Sequence, residues 1–140
     1  MKQAVLLDAG PLVALLDHRD QYHAWTVEQL ARLRPPFCTC EAAIAEAFHL
    51  LRRLPDGFSA ILEMAAERVL TTPFKLTEQS REVLALVRRY RKVPMSLADA
   101  CLVRMSELIP GAVVCTFDSD FRIYRRHQRQ KIPLLIPLDI

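Results

Sequence analysis

Four acidic residues stand in apolar settings where an ionised carboxylate is costly unless something compensates it. Asp8 interrupts "MKQAVLLDAGPLVALL" between a strand-like run, Val5 to Leu7, and an apolar helical run from Leu12 to Leu16. Asp118 repeats that pattern in "VVCTFDSDF", at the carboxyl end of a second β-branched run, with Asp120 two residues on. Glu46, in "EAAIAEAFHLLRR", lies between Ala45 and Ala47 and shares a helix face with Ala42, Ala43, His49 and Leu50. Asp99, in "SLADACLVRM", lies on a face that continues into Leu102 and Val103. Each acid also has an ordinary reading. Asp8 and Asp118 suit turns, Asp120 suits the cap of a short basic helix, and His49 offers Glu46 an ion pair. Ser96 and Asp99 match the capping box S-x-x-D.

Taken together the four point to one kind of chemistry. Carboxylates converging within a few ångströms repel, and one must take up a proton unless a cation joins them. An all-oxygen donor set suits Mg²⁺ or Mn²⁺, which can activate water and stabilise the charge that develops on a phosphodiester. The chain has no G-x-x-x-x-G-K-[ST] loop and no G-x-G-x-x-G turn, so a nucleotide cofactor has no support.

The elements that must bring these acids together alternate in kind. Strands are expected over 3–8, within "RPPFCT" (34–39), over "PFKLT" (73–77), over "AVVCTF" (112–117) and within "PLLIPL" (133–138). Between them, helical spacing marks Leu12 onward, the set Tyr22, Trp25, Leu30 and Leu33, and residues 41–53. It continues through Phe58, Ile61, Leu62, Ala65 and Val69, then Val83, Leu86, Val87 and Tyr90, and then from Ser96 to Leu108. This alternation predicts an α/β fold, a parallel sheet of about five strands covered by helices on both faces. Ligands of such sheets bind beyond the carboxyl ends of the strands, where Asp8 and Asp118 fall.

At 140 residues, half of them hydrophobic and a quarter charged, the chain is expected to form one domain over residues 1–140. No segment reaches the ~20 apolar residues of a membrane span, and Asp8 ends the first apolar run too early for a signal peptide. A cytoplasmic protein is therefore expected. Cys38, Cys40, Cys101 and Cys115 match no zinc-ligand spacing and read as small buried hydrophobes. The net charge is only +3, but "RRYRK" (88–92) and "RIYRRHQRQK" (122–131) hold nine of the 19 Lys and Arg residues and no acid. The rest has ten basic and 16 acidic residues, so the basic segments form patches able to meet a polyanion.

The pieces "LLDAGPLVALLD", "TCEAAIAEAF", "SLADACLVRM" and "VVCTFDSDF" fall in the order and separation of a known family. The chain resembles PIN-domain ribonucleases, specifically the VapC-type toxins of toxin–antitoxin pairs. The resemblance implies an acidic pocket of Asp8, Glu46, Asp99 and Asp118, with Asp8, Asp99 and Asp118 as ligands of Mg²⁺ or Mn²⁺. It also implies Asp120 as an auxiliary acid and Thr116 as a hydroxyl orienting a carboxylate or water, with Thr39 a weaker counterpart. Structured RNA as substrate, a cognate antitoxin protein and a homodimer are implied as partners. Arg88, Arg89, Arg91, Lys92, Arg122, Arg125 and Arg126 are the residues expected to bind RNA phosphates. The sequence departs from the family in two places: "AGP" follows Asp8, where Ser or Thr is common, and "DGFSAILEMAAERVL" carries no catalytic signature.

Two other readings remain beside this one: a binding module, and another phosphate enzyme on a doubly wound sheet, either a phosphatase or a receiver domain. A PIN-like module without turnover would bind RNA or protein and cut nothing. A phosphatase of the haloacid-dehalogenase type would need a second Asp two residues after Asp8, where Gly10 stands. A receiver domain would need paired acids before its phosphorylated Asp and a later lysine after a strand, and neither is evident.

Overall fold

Val5, Leu6 and Leu7 form the first strand, β1 (Val5–Leu7), in the computed structural model, which describes residues 3–140. There follow α1 (Ala9–Leu16), α2 (His23–Ala31), β2 (Phe37–Cys38), α3 (Glu41–Leu50), α4 (Gly57–Ala66) and β3 (Leu70–Thr71). The second half holds α5 (Ser80–Arg89), α6 (Leu97–Leu108), β4 (Val113–Cys115), the pair β5 (Arg125–Arg126) and β6 (Gln130–Lys131), and β7 (Leu134–Leu135). Five strands make one parallel sheet in the order β3-β2-β1-β4-β7, as the alternation of elements predicts. Leu6 pairs with Cys38 on one side and Val114 on the other.

The pleat sends alternate side chains into two cores. Leu6 and Val114 pack with Leu86, Ala98, Leu102 and Met105 of α5 and α6. Val5, Leu7, Val113 and Cys115 face the opposite way, onto Leu12, Ala47, Leu51 and Ile61. Both faces of the central strands are thus covered, which is why they read as unbroken apolar runs. The four cysteines are free thiols, three of them buried and Cys38 partly so. No helix among the described residues is long and apolar enough to cross a membrane.

Two expected elements fall elsewhere. The third strand is Leu70–Thr71, paired with Phe37 and Cys38, and not "PFKLT". Pro73 has no N–H to give a ladder, and after it only Phe74 is buried before the chain enters a 3₁₀ turn at Leu76–Glu78. The basic segment after Asp120 is likewise not a helix. A 3₁₀ turn, Ser119–Arg122, leads into the antiparallel pair β5 and β6, joined through residues 127–129. His127 and Gln128 there take left-handed backbone angles, φ 49° and 68°, which reverse the chain.

Leu102 is fully buried between α6 and the sheet. Leu102→Ala should lower unfolding free energy by about 2–5 kcal/mol, read as a lower urea midpoint at unchanged slope.

Candidate functional site

The strand order doubles back at β1 and β4, which lie side by side, so their carboxyl ends flank the switch point of the sheet. There the chain forms a cleft of about 640 Å³ lined by Asp8, Glu46, Asp99, Asp118 and Asp120, together with Gly10, Ser96 and Phe117. The four acids singled out in the sequence therefore share one cavity. Among the described residues, no Lys, Arg or His lines it.

Each acid is held by local backbone chemistry. Asp8 is the N-cap of α1, its Oδ1 accepting from Ala9 N–H at 2.8 Å. Its Oδ2 accepts from the hydroxyl of Thr116 at 2.7 Å, and that oxygen in turn accepts from Asp118 N–H at 3.0 Å. Thr116 is completely buried, so one side chain fixes Asp8 and the start of the Asp118 turn together. Asp118 caps that turn, its Oδ1 accepting from Asp120 N–H at 2.9 Å. Asp120 thus donates to a cap and does not provide one. Ser96 caps α6 by accepting from Asp99 N–H at 3.0 Å, so the capping box and a buried Asp99 coexist.

Tyr124 joins the acids without any signal in the sequence. Its ring is fully buried and its hydroxyl donates to Asp99 Oδ2 at 2.8 Å. Twenty-five positions separate the two residues, and the segment that carries Tyr124 reads as a short helix in the sequence, where the structure has a hairpin.

Glu46 needs a correction. It is exposed on the open side of the cleft, not sunk among alanines, and no ion pair with His49 forms among the described residues. Helix α3 buries Ala43 and Ala47 and turns Glu46 outward. Thr39 serves the sheet instead of the cleft, donating to Leu7 O at 2.7 Å. Gly10 accounts for "AGP": a Cβ there would stand 2.9 Å from Cδ2 of Phe117, whose ring closes that wall of the cleft.

The acids act on one another. Burial, and behind it the charges of Asp99 and Glu46, pushes the Asp8 carboxyl from 3.8 up to about 6, against the opposing bonds from Thr116 and Ala9. Asp99 is raised by burial and by Asp118, with Tyr124 and Ser96 opposing. Glu46 is raised by loss of solvent and by Asp99. Among the described residues no three Asp, Glu, His or Cys side chains stand close enough to enclose an ion unaided. A hard cation that keeps part of its water shell, as Mg²⁺ does, needs only one or two direct carboxylates. An all-oxygen, uncompensated donor set fits such an ion.

None of the seven expected basic residues lines the cleft; Arg89 and Arg122 line two other cavities. Arg88, Arg91, Lys92 and Arg122 are exposed; Arg91 and Lys92 precede Pro94, which lines the cleft. Arg89 donates to Gln128 O at 2.7 Å, tying α5 to the hairpin, and Arg125 N–H donates to the Tyr90 hydroxyl at 3.0 Å. Arg125 and Arg126 are half-buried.

Between pH 3.8 and about 6 the folded chain holds a proton on Asp8 that the unfolded chain has released. Stability therefore falls as pH rises through that window, by about 3 kcal/mol from this group, and stays low above it. In chelator, Asp8→Asn should raise Tm over the unsubstituted chain at pH 7.5 and lose that advantage near pH 4. Equal differences at both pH values would contradict this account.

A family model described as PIN domain matches residues 5–126. Among curated protein sequences no match is found. A crystal structure of Mycobacterium tuberculosis VapC20, described as a sarcin-ricin loop cleaving toxin, superposes with a TM-score of 0.70 at 21% identity. The superposition covers 84% of this chain and 92% of that one. With the family match spanning all four acids and most of the sheet, the chain belongs to the PIN domain family.

Proposed function

We propose that this chain is a divalent-metal-dependent endoribonuclease of the VapC type, a toxin that hydrolyses phosphodiester bonds in structured RNA. The observation that carries the reading is the cleft at the sheet switch point, where four carboxylates gather, burial and neighbouring charge raise the pKa of Asp8, Glu46 and Asp99, and no described Lys, Arg or His lines the cavity. The likeness to a toxin that cleaves the sarcin-ricin loop supports a folded RNA as substrate. In this reading a cognate antitoxin protein neutralises the chain, and the active form is a homodimer.

Asp8, Asp99 and Asp118 would hold Mg²⁺ or Mn²⁺. When bound, the ion supplies an acidified water and neutralises charge developing on the phosphate. Asp8 and Asp118 enter the site prearranged through the shared Thr116 hydroxyl. Glu46, exposed at the mouth, orients the attacking water and accepts its proton. Asp120 lines the same wall as an auxiliary acid. Arg88, Arg89, Arg91, Lys92, Arg122, Arg125 and Arg126 contact RNA phosphates on either side of the scissile bond, so affinity falls steeply with salt.

Asp118→Asn keeps the oxygen that accepts from Asp120 N–H, and Asp8→Asn keeps the helix cap. Each should lower Mn²⁺-dependent cleavage of a labelled structured RNA by more than about 100-fold with circular dichroism unchanged. Undiminished cleavage in either variant would remove that residue from the site. An unsubstituted chain that binds the RNA in Mn²⁺ and leaves it uncut would favour the binding-module reading. Arg91→Ala with Lys92→Ala should weaken RNA binding and reduce the slope of log affinity against log salt by roughly 0.7–0.9 for each phosphate-neutralising charge removed.

A further inference from the structure

Asp99 is the acid whose setting differs most from a simple helix-start carboxylate. It is buried, its backbone N–H is committed to Ser96, and its Oδ2 receives the Tyr124 hydroxyl at 2.8 Å. The phenol ring cannot easily move. It is fully buried and packed edge-to-face against Tyr90 at 5.1 Å and Phe121 at 5.2 Å between ring centroids. Tyr90 itself lies at the C-cap of α5, and its hydroxyl accepts from Arg125 N–H, so the backbone next to Tyr124 is pinned as well. A rigid neutral donor on one oxygen restricts the rotation of a carboxylate, here one that lines the cleft and that Ser96 also holds. Such outer partners commonly govern how well a carboxylate ligates.

We infer that Tyr124 is a positioning residue of the metal site, holding Asp99 by Oδ2 so that Oδ1 is the oxygen presented to a divalent cation. The inference rests on the metal-nuclease reading and adds to it a residue outside the acidic set. It also makes the hairpin segment a structural part of the site, since Tyr124 immediately precedes β5.

Tyr124→Phe removes the hydroxyl and keeps the ring stack, and Tyr90→Phe removes a hydroxyl of the same aromatic cluster that does not touch Asp99. Mn²⁺ binding to the full chain, measured by titration calorimetry and by the loss of free-ion paramagnetic resonance, needs no RNA and no turnover. Tyr124→Phe should bind Mn²⁺ about 10–100-fold more weakly, while Tyr90→Phe binds as the unsubstituted chain does. Equal affinity in Tyr124→Phe would overturn the positioning role and leave the nuclease reading standing. Equal weakening in both variants would also overturn it, because a general loosening of the cluster would then be the cause. No Mn²⁺ binding by the unsubstituted chain would defeat the metal reading and this inference with it. Should Tyr124→Phe not fold, a Mn²⁺-soaked crystal of the unsubstituted chain decides: contact through Asp99 Oδ1 alone supports the inference, and contact through Oδ2 overturns it.

Discussion

Burial of carboxylates beside one another at the edge of a parallel sheet is the constraint on which this structure turns. The fold brings Asp8, Asp99, Asp118 and Glu46 around one cleft, and the shifts of three of them carry the mark of a neighbour's charge. Nothing in the apolar core requires that arrangement, and burial of Asp8 works against folding at neutral pH. The chain limits the cost with neutral donors. Ala9 N–H and the Thr116 hydroxyl serve Asp8, Tyr124 serves Asp99, and Asp120 N–H serves Asp118. These bonds hold the acids in place without cancelling their charge, so the negative potential of the cleft survives into the folded state.

The same requirement explains why the site is so closely tied to the sheet. Asp8 follows β1 directly, and Thr116 and Asp118 follow β4, the strand paired to it in register from Val5 opposite Val113 to Leu7 opposite Cys115. That pairing brings Thr116 beside Asp8, residues 108 positions apart in the chain. A slip of one residue would reverse the faces of β4 and separate the hydroxyl from its carboxylate. The apolar alternation that builds two cores therefore also sets the geometry of the acids, and the acidic edge inherits its precision from packing.

Periodicity makes most of this legible in the sequence. Short apolar runs between helical ones announce a parallel sheet, and Asp8 and Asp118 are recognisable because each ends such a run. Ser96 and Asp99 are legible as a cap because the signal is local. What escapes is non-local or depends on the direction of a single side chain. Glu46 looks buried because its neighbours are alanines, yet alanine is small enough to lie on an open helix face as readily as in a core. The strand at Leu70–Thr71 is masked by the more strand-like "PFKLT", since only pairing with β2 distinguishes them. Tyr124 is invisible: nothing in "FRIYRRHQRQ" says that its hydroxyl turns inward to Asp99 while the arginines around it face solvent or the hairpin.

That last segment bears on how an anionic cleft could meet an anionic polymer. A phosphate approaching four carboxylates is repelled unless cations lie close by, and a bound metal offsets only part of the charge. The chain concentrates nine of its 19 basic residues in two segments, and both adjoin the cleft through the backbone. One leads through Pro94 to Ser96 and Asp99, and the other follows Ser119 and Asp120. The two are joined to each other by Arg89 on Gln128 O and by Tyr90 on Arg125 N–H. A polymer held at several phosphates can have one of them pressed toward the acids, where a divalent ion makes the approach favourable. In the nuclease reading proposed above, this charge pattern would favour a long substrate, and the low aromatic content, 7%, leaves little capacity for stacking to add to it.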